Sequence, residues 1–119
     1  MDKYRRLVDL LIKKTRNNSA GWEPTARENV FGIAFPDYSV WISSEPRQMD
    51  DIDVFFELVN SNGQVVDRFS DVDLARELNS DVERVEIYRA CKGLFESARR
   101  QALGVEQALD SLIAELDKE

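Results

Sequence analysis

From Val30 onward the spacing of apolar residues changes from that of a helix to that of a strand, and this change fixes the class of fold. Before it, Tyr4, Leu7, Val8 and Leu11 fall at i, i+3, i+4 and i+7, with Leu10 and Ile12 beside them. That spacing predicts an amphipathic helix from about Asp2 to Thr15, whose outer face carries Lys3, Arg5, Arg6, Lys13, Lys14 and Arg16. "NNSAG" breaks the helix and "WEPT" follows as loop, with Glu23 biased to extended geometry by Pro24. A lone Trp22 in so polar a loop is expected to anchor it by packing over the sheet or the first helix.

After Val30, "VFGIAF", "YSVWIS", "DVFFELV" and "QVVDRF" are short and rich in β-branched and aromatic residues. Pro36-Asp37, the charged stretch Ser44 to Asp51, and Asn60-Ser61-Asn62-Gly63 separate them with turn chemistry. The expected arrangement is a four-stranded antiparallel meander. Alternation places Tyr38, Val40 and Ile42 on one face with Val54, Phe56 and Leu58, and that face meets the helices. Trp41 and Phe55 then point to the other face, with Glu57 and Asp67 as an acidic rim, so these four residues are the candidate partner-binding set. Such an aromatic face is covered by a partner, covered by the chain's own "NNSAGWEPT" loop, or left as a patch.

Two near-identical tetrads, "SDVD" at Ser70 and "SDVE" at Ser80, follow the strands. In each the serine hydroxyl is placed to cap a helix, and the acidic residue three positions on reaches back to the serine N–H. Asp71, Asp73, Asp81 and Glu83 also sit where the positive end of a helix stabilises carboxylates. A calcium loop needs alternating Asp/Asn, a Gly at its turn and a distal Glu. No Gly lies between Gly63 and Gly93, so the tetrads read as a short helix and the start of a long one, with no metal ligands assigned. Asp50, Asp51 and Asp53 form an acidic triplet in a loop, which reads as solvated rather than chelating.

From Tyr88 the apolar steps of three or four run through Cys91, Phe95, Ala98, Ala102, Val105, Leu109, Leu112 and Leu116. A continuous helix from Asp81 to Asp117 would be roughly 55 Å long, too long for a small domain of about 30 Å. A kink or break near Gly104 is the expected resolution, with Arg99 and Arg100 near the end of the first part. Pairing of two copies along the seam is the alternative, so the chain is expected to be a monomer or a homodimer. A helix-turn-helix at "ALGVEQAL" is disfavoured, since Val105 to Glu119 holds one cation, Lys118, against five carboxylates.

The 119 residues suit one α+β domain over 1–119. The net charge is −7, while Met1 to Arg27 alone carries +4. That balance disfavours nucleic acid and anionic membranes and favours a basic protein partner. A single cysteine, no signal-like N-terminus and no long apolar run fit a soluble cytoplasmic protein. The chain has no histidine, which excludes Ser-His, Cys-His and His-metal constellations, and Cys91 falls on an apolar seam as an inert thiol. Isolated glycines supply no phosphate loop, so no cofactor is expected. A carboxylate pair of Glu57 and Asp67 across two strands is the one catalytic arrangement left, and mid-strand carboxylates more often decorate a solvated face; no catalytic residue is assigned.

"YSVWIS…FELVNSNGQVVDRFSD" and "LFESARRQALGVEQALDSLIAEL" together resemble short uncharacterised bacterial proteins of unknown function. In these a helix and a Trp-containing loop lead into a β-meander and an Arg-Arg-bearing C-terminal helix. The resemblance implies the same element order and transfers no catalytic residue. A non-catalytic acidic interaction module is therefore expected; an immunity- or antitoxin-like protein masking a basic toxin is one form of it. The alternative is a small regulatory or scaffolding domain that dimerises through its C-terminal helix.

Overall fold

A computed structural model describes residues 2–49 and 51–118. Its elements run α1 (Asp2–Arg16), β1 (Glu23–Pro24), β2 (Phe31–Ala34), β3 (Tyr38–Pro46), β4 (Ile52–Asn60), β5 (Val65–Ser70), α2 (Asp71–Ala75), α3 (Asp81–Leu103) and α4 (Val105–Leu116). The sheet is antiparallel with order β1-β2-β3-β4-β5, a pure meander of five strands rather than four. The fifth is β1, where Glu23 and Pro24 pair with Gly32 and Phe31 on the edge of the sheet. Proline's missing N–H is harmless on an edge strand, and its restraint on Glu23 keeps this segment extended. β3 also runs on through Ser44–Pro46, opposite Val54, Asp53 and Ile52.

The helices cover one face of the sheet. Val8 and Leu11 of α1, Phe31, Ile33, Val40, Ile42, Val54, Phe56 and Phe69 of the sheet, and Ile87, Cys91, Leu94, Phe95 and Ala98 of α3 form one buried cluster. Tyr38 differs from its expected partners, because at the strand's start it stands exposed at the sheet margin. Trp22 is 4% exposed and joins the cluster. Its indole N–H donates to the Thr15 hydroxyl at 2.8 Å, and that hydroxyl in turn donates to the Leu11 carbonyl. Burial of the ring thus costs no unpaired donor, and the loop after α1 is pinned.

Both serine tetrads begin helices. Ser70 accepts from the Asp73 N–H and Asp73 accepts from the Ser70 N–H, a complete capping box at α2. Ser80 accepts from the Glu83 N–H at α3. α3 stops at Gly104, which is left-handed at φ 65° and donates its N–H back to the last turn. Such a terminator favours glycine because a Cβ is disfavoured there. The seam is therefore broken, and only the part before Gly104 enters the core.

Candidate interaction surfaces

The sheet face turned away from the helices is built by cross-strand registry. Gly32, Trp41, Glu57 and Arg68 lie in one row across β2, β3, β4 and β5, and Ser43, Phe55 and Ser70 lie in the next. Leu58, not Glu57, sits opposite Asp67. Asp67 therefore belongs to the helix-facing side, where its carboxylate accepts a hydrogen bond from the Tyr4 hydroxyl. That acceptor holds the Tyr4 phenol above its usual range. Glu57 and Asp67 consequently point to opposite faces of the sheet, which removes the carboxylate pair.

The expected acidic rim around Trp41 is also corrected. The Arg27 guanidinium lies over the Trp41 ring at 5.2 Å and pairs with the buried Glu57. Arg68 covers Phe55 at 3.8 Å and pairs with Glu45 at 3.0 Å. Arg27 is held by a compact turn in which the Thr25 hydroxyl donates to the Val30 carbonyl and accepts from the Arg27 N–H. The side chain over Trp41 is Arg27, two residues beyond the "NNSAGWEPT" loop, whose last residue Thr25 holds this turn and whose Trp22 is buried in the core. Cation–π contact and ion pairing leave Trp41 and Phe55 half-buried beneath the chain's own arginines.

At the far end of β3 and β4, Arg47 pairs with Asp51 at 3.1 Å and stands over the Tyr88 ring at 5.5 Å. Its Nε is 3.0 Å from the Asp53 carboxylate, at an angle that makes no hydrogen bond. Lys92 of α3 also pairs with Asp51, and with the Ile52 N–H it draws that carboxyl below the usual range. Two members of the acidic triplet are thus ion-paired; Asp50 lies outside the described residues. Among the described residues no group of three His, Cys, Asp or Glu side chains is arranged to hold a metal ion.

Asp71 is fully buried. One oxygen accepts from the N–H groups of Val54 and Val72, and the other has no partner. Burial pushes this carboxyl above its usual range against those two hydrogen bonds. The burial of Cys91 itself, and then the nearby Asp71 carboxylate, push its thiol up to about 12. A thiol so placed is neutral and inaccessible, without nucleophilic use.

The last helix differs from the other three. α4 has no buried residue. Leu109, Leu112, Ile113 and Leu116 are 44%, 59%, 60% and 77% exposed. With Val105 they make one stripe at i, i+4, i+7, i+8 and i+11. At 100° per residue, Glu106, Asp110 and Asp117 border one side of that stripe and Glu115 the other. Glu106 is paired with Arg100 and Glu115 with Lys118, all on the surface. No helix among the described residues is long and apolar enough to cross a membrane. No protein-family model matches the chain, and no curated protein or solved structure does either.

Proposed function

We propose that the chain is a non-catalytic protein-interaction module that docks through α4 into an apolar groove rimmed by cations. The observation that carries this reading is a twelve-residue amphipathic helix with no buried residue, presenting four large aliphatic side chains to solvent. A contiguous apolar surface of this kind is costly to leave in water and marks an interaction site. Its borders are carboxylates, which supports a basic partner and opposes an anionic lipid surface. The non-catalytic part is supported by the separation of Glu57 from Asp67, the sealed Cys91 thiol and the absence of histidine. The outer sheet face is the weaker candidate, since Arg27 and Arg68 already occupy its aromatic rings.

A photo-crosslinking residue placed at Ile113, on the stripe, is compared in living cells with one at Ser111, on the opposite flank. Protein adducts are expected from position 113, and they should disappear when Leu112→Glu is added. Equal adduct formation from both positions would mean that the stripe docks on nothing.

A further inference from the structure

This chain itself carries a groove of the required chemistry. Between α1 and β2, Leu7, Leu10, Ala20, Ile33 and Phe35 line an apolar cleft of about 370 Å³, with Lys14 at one end. Leu10 and Phe35 are about half exposed there. Lys3, Leu7, Leu10 and Lys14 form one row at i, i+4, i+7 and i+11 along α1, and Arg6 and Lys13 run along its outer side. None of these four cations is ion-paired among the described residues.

Resting on the reading of α4 as a docking element, we infer that its partner is a second copy of this chain, each copy laying α4 into the α1–β2 cleft of the other. The lengths agree. Lys3 to Lys14 spans eleven residue steps, and so does Glu106 to Asp117, about 16 Å on each helix. The charges agree as well, because a cation-edged apolar cleft meets a carboxylate-edged apolar stripe. Pairing of α4 with α4 would instead set carboxylate against carboxylate along both borders.

Position supports reciprocity. The first turn of α4 lies beside Asn18, Gly21 and Trp22, next to the Ser19–Ala20 end of the cleft. A two-fold axis near this end brings the root of each α4 to the mouth of the other cleft. Each helix then runs antiparallel to the α1 that it covers, with Glu106 toward Lys14 and Asp117 toward Lys3. The two contacts form one continuous isologous interface. Doubling the buried area moves a twelve-residue helix toward the roughly 800 Å² per partner of a stable complex.

The test is sedimentation equilibrium of the full chain from low to high micromolar concentration, beside Leu112→Glu, Leu10→Glu, Lys3→Glu, Asp117→Lys and the double variant Lys3→Glu/Asp117→Lys. Each variant is first shown to keep the far-ultraviolet circular dichroism of the parent; all four sites are exposed. The parent is expected to be a dimer. Either leucine variant should weaken it by roughly tenfold or more, the loss of one well-buried aliphatic side chain. Each single charge reversal should weaken it and the double variant should restore it. A dimer lost with Leu112→Glu but indifferent to Leu10→Glu and Lys3→Glu would be α4 paired with α4, overturning the cleft while leaving α4 as the docking element. A chain monomeric throughout would overturn the second copy as partner and leave the docking reading to the crosslinking comparison. A dimer indifferent to all five variants would overturn both.

Discussion

Trp41 occupies the space that a side chain on Gly32 would need: a Cβ at Gly32 would come 2.7 Å from Cδ1 of the indole and 3.0 Å from its Nε1. The two residues are directly opposite in the β2–β3 ladder. The glycine is therefore a seat for the ring rather than a turn residue, and Arg27 lies over the same ring.

Gly32→Ala is accordingly expected to destabilise the fold by about 1–2 kcal/mol through overpacking. The same substitution in a Trp41→Ala background should cost much less, since the clash has gone. Urea denaturation of the four proteins gives the coupling directly. Additive effects would show that the ring has room to move.

The two caps should differ in value. Ser80→Ala removes one side-chain hydrogen bond at an exposed helix start and should cost about 1 kcal/mol. Ser70→Ala breaks one half of a reciprocal box at a buried position and should cost more, toward about 2 kcal/mol. Denaturation midpoints measured side by side rank them. The reverse order would make the cap of α3 the more stabilising of the two.

Asp71 makes a prediction about pH. Its folded carboxyl is held above the usual value by burial, so the folded state binds this proton more tightly than the unfolded chain does. The stability it contributes is complete below the unfolded carboxylate value of about 4 and falls as pH rises through the folded value. Asp71→Asn keeps an acceptor for the Val54 and Val72 N–H groups and removes the charge. Its stability relative to the parent should therefore improve as pH is raised from about 4 to neutrality. A constant difference between the two, followed by denaturation at each pH, would mean that Asp71 titrates normally.

Cys91 should resist modification in the folded chain. With the thiol buried and its pKa at about 12, a disulfide reagent at neutral pH is expected to react only as fast as the protein opens. The rate should rise with urea in parallel with unfolding. Prompt reaction in native buffer would place the sulfur at the surface.

What could be read from the chain alone was what is decided locally. Ser70 and Ser80 are set by residues three positions away, and Gly104 by its own backbone, so caps and break were legible. The faces of β3 and β4 followed from strict alternation of Val40, Ile42, Val54 and Phe56. Register was not legible to one residue. A shift between Leu58 and Val59 accompanies the pairing that sets Arg68 opposite Glu57, and one residue of slip moves Asp67 to the other face. β1 carries no periodicity in two residues and exists because β2 offers it an edge. Arg27 and Asp71 owe their roles to segments distant in sequence, and charge alone does not announce such roles. The stripe on α4 was visible, but sequence spacing does not say whether a stripe is covered.

The meander has a kinetic consequence. Every strand pairs with its neighbour in the chain, so the sheet grows by successive short closures, each with a small entropic cost. Longer closures bring α3 back onto the early strands, where Phe95 meets Phe31, and onto α1, where Gln101 donates to the Thr15 carbonyl across 86 residues. Docking of α1 is one of these long closures and is expected to follow the hairpins. Weakening Val8 or Leu11 should mainly speed unfolding and leave the folding rate nearly unchanged. The segment that carries the basic rim would then be the last to be put in place and the first to leave.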